Sequence, residues 1–105
     1  MPQPTQERRG TRRFALRLPL AVQLPDHADP IQAHTKDVSA RGVYFYATQT
    51  VEEGVPLEFL LTLPPEITLT ENIRVRCRGR AIRVERAPGS KTGVAAVIDD
   101  YQFLA

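Results

Sequence analysis

The sequence predicts an all-β chain: a six-stranded antiparallel β-barrel over residues 13–105, preceded by a flexible arginine-rich arm over residues 1–12. Three observations predict it. Apolar residues alternate with period two in six separate segments, the pattern of strands that bury one face. Pro, Gly, Asn and Asp clusters separate these segments at short intervals. The fifth segment shifts its apolar phase by one residue partway along, as a bulged strand of a small closed barrel does. Closure into a barrel removes exposed strand edges, and a β-sandwich is the alternative. At 105 residues and 11.8 kDa the chain holds one domain.

Each element follows in order. Residues 1–12 carry Pro2, Pro4, Gln3, Gln6 and Gly10 and no apolar residue after Met1, so they lack an anchor to a core. From Phe14, the residues Leu16, Leu18, Leu20, Val22 and Leu24 recur at every second position, giving a first strand over 14–24. Pro19 falls in the outward phase, the place for a proline at an edge or bulge. A turn cluster at 25–30 leads to a second strand, Ile31–Val38. Residues 39–42, Ser-Ala-Arg-Gly, break the alternation, and Gly42 is expected to supply a permissive backbone for a tight turn. The third strand, 43–48, sends Val43, Phe45 and Ala47 to one face and Tyr44 and Tyr46 to the other. Leu57, Phe59, Leu61 and Leu63 form the fourth, stopped by Pro64 and Pro65. The fifth, 72–86, is apolar at Ile73, Val75 and Cys77, then at Ile82 and Val84, with the slip expected at Gly79. Pro88-Gly89-Ser90 turns the chain into a sixth strand over 93–98. Asp99 is expected to cap a short helical turn over 100–105, with Tyr101 and Leu104 on one face.

The net charge of +2 conceals segregation. Residues 7–17 sum to +4 and residues 74–86 to +5, while residues 26–71 sum to −6. Twelve of the fourteen cations are arginine, whose planar fork of donors matches phosphate and stacks on bases. No apolar run approaches the roughly 18 residues of a membrane span, and no apolar leader follows Met1, so no membrane insertion and a cytoplasmic location are expected. One cysteine excludes an internal disulfide and a multi-cysteine zinc site.

Catalytic readings are thin, and the chain is not expected to be an enzyme. His27 sits in a turn and His34 in the polar phase of the second strand. Ser39 lies in no Gly-x-Ser-x-Gly elbow, Cys77 lies in a core phase, and no metal-ligand spacing or cofactor motif appears. Two features carry more. Arg8-Arg9-x-x-x-Arg13 precedes the first strand. Asp37-x-Ser39-x-x-Gly42 joins the second strand to the third.

Together these resemble the two-part signature of PilZ domains, an Arg-Arg-xxx-Arg arm and an Asp/Asn-x-Ser-xx-Gly turn. The likeness extends to the apolar first strand and to residues 79–84 and 93–98, which resemble the family's fifth and sixth strands, and so covers residues 7–99. The resemblance implies a six-stranded barrel that binds cyclic di-GMP, with Arg8, Arg9, Arg13, Asp37, Ser39 and Gly42 as the ligand-binding residues and a downstream protein as partner. An Arg8-xxx-Arg12 register stays open. The family usually carries a longer C-terminal helix. The chemistry fits: guanidinium forks bind phosphate or guanine O6 and N7, and Asp37 accepts from guanine N1–H and its exocyclic amine. Two other readings stand beside it. One is a small basic barrel that binds nucleic acid, disfavoured by its few outward aromatics. The other is a PilZ-like interaction domain without ligand.

Overall fold

Six strands, one short α-helix and a 3-10 turn at Pro88–Ser90 make up the computed structural model, which describes residues 13–104. The elements are β1 (Pro19–Gln23), β2 (Ile31–Val38), β3 (Gly42–Ala47), β4 (Pro56–Leu63), α1 (Pro65–Thr68), β5 (Ile73–Ala87) and β6 (Lys91–Leu104). The strands close into an antiparallel barrel in the order β1-β2-β3-β6-β5-β4. Closure is made by β1 against β4, with Leu20 opposite Leu61 and Val22 opposite Phe59. The expected fold class is the observed one. No helix among the described residues is long and apolar enough to cross a membrane.

The period-two segments fill the barrel as their phase requires. Leu20 and Val22, Ile31 and Ala33, Val43 and Phe45, Leu57 and Phe59, Val75 and Cys77, and Val94 and Ala96 all point inward and are buried. Phe45 and Phe59 are the largest of them, and truncating either to alanine costs about 3–5 kcal/mol.

The first strand is shorter than its alternation predicts. Phe14 makes an isolated bridge with Val38, and the regular ladder begins only at Pro19. Between them Thr35 N donates to Leu18 O at 2.9 Å, and the buried hydroxyl of Thr35 adds two further bonds. Thr35 Oγ1 accepts from Leu18 N at 2.8 Å and donates to Leu16 O. Pro19 lacks an N–H and sits exposed at the first position of β1, where none is needed.

Two expectations about β5 and β6 are corrected. The phase slip in β5 is not at Gly79. The inward phase runs on through Ala81, which is buried, and the extra residue is Ile82: Ala81 pairs with Ala96 and Arg83 with Ala95. Ile82 is therefore a displayed residue, 57% exposed, rather than a core one. A second shift does lie beside Gly79, but there the extra residue is Asp99 on β6. Gly79 is required for another reason: a Cβ there would stand 1.7 Å from the Val97 carbonyl oxygen.

The C-terminal helical turn is also absent. Residues 99–104 continue β6, pairing Asp100 with Arg78 through to Leu104 with Arg74. The first half of β5 needs a partner for its backbone groups on that side, and this segment supplies it. Asp99 caps nothing; it faces Arg80 at 3.6 Å. One element had no sequence expectation: α1, a single turn opened by Pro65 at its first position and closed by Leu69 at φ 66°.

Candidate ligand-binding site

Two local devices bring the signature residues together. The first is the Phe14–Val38 bridge, in which Phe14 N donates to Val38 O at 2.8 Å and Val38 N to Phe14 O at 2.9 Å. It fixes the chain at Arg13 beside the end of β2. The second is a bulge in β2. Thr35 pairs with Phe45 and Asp37 with Tyr44, so Lys36 is the extra residue. In an unbroken strand Asp37 would share the inward phase of Ala33 and Thr35. The bulge shifts it to the outer face, opposite Tyr44. Sequence reasoning missed this bulge; the signal was a carboxylate in an otherwise apolar phase.

The side chains converge. Arg13 Nε donates to Asp37 Oδ1 at 2.8 Å, its Nη2 donates to the same oxygen, and its Nη1 lies 3.4 Å from Ser39 Oγ. Asp37 Oδ2 makes no hydrogen bond among the described residues. Ser39 is buried, and its hydroxyl organises the turn. Oγ accepts from Arg41 N and Gly42 N, each at 3.2 Å, and donates to Gly42 O, while Ser39 N donates to the same carbonyl. Ser39 is thus a turn residue as well as a candidate ligand contact.

The expected role of Gly42 in the turn is corrected. The glycines with positive φ among the described residues are Gly54 and Gly89, so the turn does not use Gly42's conformational freedom. A Cβ on Gly42 would instead meet the Ala96 carbonyl oxygen at 2.6 Å. Gly42 lets β3 lie against β6 at the lip of the site.

Beside this cluster lies a groove of about 220 Å³. Arg13, Ser39 and Arg41 form its polar wall, and Gly42, Ala95 and Val97 with the displayed Ile82 form a low apolar floor. Ile82 and Arg41 were not among the expected contacts. The break in apolar alternation at Ile82 was the available signal for the first.

Tyr44 faces outward as expected but is not free to stack on a ligand. The β5–β6 hairpin covers it, leaving 8% exposed. Its hydroxyl donates to Glu85, Lys36 Nζ lies 5.4 Å from its ring centre, and Tyr46 meets it edge-on. Burial, then the hydrogen bond and charge of Glu85, push its hydroxyl up to about 12. This weakens the nucleic-acid reading, since an outward aromatic platform is what such a barrel needs. The β5 arginines Arg76, Arg78 and Arg80 each face a carboxylate of β4 or β6 at 3.6 Å, in a solvent-facing ladder. No group of three potential metal ligands lies together among the described residues.

Of the expected site residues, the structure brings together Arg13, Asp37, Ser39 and Gly42. Arg8, Arg9 and the rest of the arm lie outside the described residues. Comparison with curated proteins gives no match. Among solved structures, the fold resembles a Bacillus subtilis protein described as an inhibitor of motility, MotI/DgrA, with a TM-score of 0.73 and 14% identity. That likeness covers 97% of this chain but 45% of the other, so the chain spans less than half of that protein's length. The sequence model of the PilZ domain matches residues 6–102, nearly the whole chain. PilZ domains are binding and regulatory modules, a family of cyclic di-GMP receptors, and this chain belongs to that family.

Proposed function

We propose that this chain is a cytoplasmic cyclic di-GMP receptor module with no catalytic role, which signals to a partner protein through its N-terminal arm. The observation that carries the reading is the convergence of Arg13, Asp37 and Ser39, 24 to 26 residues apart in sequence, at the lip of an open groove. Asp37 keeps Oδ2 for guanine N1–H and the exocyclic amine, donors that no arginine can serve. The Arg13 side chain is 47% exposed in its pair with Asp37, so exchanging that partner for a ligand phosphate costs little. Arg8 and Arg9 add further bidentate contacts to phosphate or guanine. The floor of Gly42, Ala95 and Val97 admits a flat base close to the backbone.

Titration calorimetry tests this with cyclic di-GMP against GMP as control. Saturable binding of cyclic di-GMP alone is expected, weakened by about 1–3 kcal/mol in Asp37→Ala, the scale for a buried polar partner lost. Binding equal to that of GMP, or unchanged by Asp37→Ala, would refute it.

A further inference from the structure

A second groove, of about 490 Å³, lies on the outer face of β2 and β3. Arg17, His34, Lys36, Tyr46 and Lys91 line it, and no Asp or Glu does. It shares no lining residue with the groove at Arg13 and Ser39. The strand phase explains the assembly: His34 stands opposite Tyr46, and Lys36, two residues on, shares the outward phase of His34.

Elsewhere on the barrel five of the eight described arginines are compensated, Arg41, Arg74 and Arg86 being the exceptions. Arg13, Arg76, Arg78, Arg80 and Arg83 each face a carboxylate within 4 Å. Among the described residues Arg17, His34 and Lys91 face none, and Lys36 rests only over the Tyr44 ring. Carboxylates are not scarce, since residues 13–104 carry eleven cations and eleven acids. Three permanent cations left uncompensated around one concavity focus a positive potential there. A guanidinium fork and two ammonium groups then present convergent, charge-assisted donors.

We propose that this groove is a second anion site, which takes the phosphoryl group of a small soluble phosphate ester. Its shape favours a small molecule over a bilayer. A membrane-docking face needs large apolar side chains beside its cations. The exposed ones here, Phe14, Ile67, Leu69, Ile82, Tyr101 and Phe103, all lie outside this groove.

The test is an amide NMR titration of the whole chain with pyrophosphate at constant ionic strength. Saturating shifts are expected at His34, Lys36, Tyr46 and Thr48. Arg17→Gln with Lys91→Gln should weaken them roughly tenfold, the scale of a lost charge-assisted contact, and Arg13→Gln should leave them unchanged. Both altered residues are exposed and fill no core, so the variants fold. Shifts that stay linear throughout the titration, or that survive the double substitution, overturn the proposal. So does variant-sensitive sedimentation with phosphatidylglycerol vesicles in the absence of a pyrophosphate response, which would assign the groove to a lipid surface.

Discussion

Replacing Gly42 with alanine separates two reasons for a glycine in the signature turn. The new Cβ would stand 2.6 Å from the Ala96 carbonyl oxygen, a backbone atom that cannot rotate away. β3 and β6 must part where Gly42 pairs with Val97. Overpacking of this kind costs about 1–3 kcal/mol. The alanine recovers about 0.4–1 kcal/mol by restricting the unfolded chain, because no positive φ is imposed on it. The net expectation is a loss of about 1–2 kcal/mol, read as a lower urea midpoint at unchanged slope. The melting temperature falls by about 4–8 °C per kcal/mol in a domain of this size. A variant as stable as the parent would refute the packing argument. If that variant also failed to bind cyclic di-GMP, the glycine would serve the ligand and not the barrel.

Three other outcomes are expected. Changing Arg74, Arg76 and Arg78 together to Gln should leave cyclic di-GMP affinity unchanged in calorimetry, since two of them face carboxylates and none lines the groove; loss of binding would place the site on the wrong surface. Burial first, and then the charge of Asp100, push the Cys77 thiol up to about 11, and Tyr44 lies at about 12. Both are acids held neutral in the fold, so their contribution is complete below about pH 9 and is lost as pH rises through 11 and 12. Denaturant midpoints should fall over that range, less steeply in Tyr44→Phe, and an equal slope would remove Tyr44 from the account. Deleting residues 1–12 should leave a cooperative thermal transition, because the buried residues begin at Leu18, and should remove most cyclic di-GMP affinity; a deletion that binds like the parent would exclude Arg8 and Arg9.

Strand number, order along the chain and core faces were legible because period-two alternation is a direct record of which face is buried. Bulges were harder. The Ile82 slip left a visible break, but alternation alone does not say whether the extra residue is glycine or its apolar neighbour. The tertiary register decides it, as Ala81 opposite Ala96 shows. The extension of β6 was misread although Tyr101 and Phe103 do alternate with polar residues, because an adjacent acidic pair also fits a helix cap. What settled the matter was the unpaired first half of β5, a need created by another part of the chain. At the site, the motif supplied the residue types and their order. It did not supply the Lys36 bulge that turns Asp37 outward, nor the Thr35 hydroxyl that ties Leu16 and Leu18 to β2 between the regular ladder and the Phe14–Val38 bridge.

The Phe14–Val38 bridge also sets the length of a leash. With Arg13 held against Asp37, Arg8 is five residues away along the chain, so its Cα stays within roughly 17 Å of that of Arg13 in any conformation. Under the proposed function, a ligand seated on the barrel would meet Arg8 and Arg9 as groups already confined to its neighbourhood, at the millimolar effective concentration of a short tether. The spacing of the arginines is in this sense a distance restraint. Residues inserted between Arg9 and Arg13 would keep every proposed contact chemically possible, yet dilute the arm's share of the proposed site relative to the barrel's.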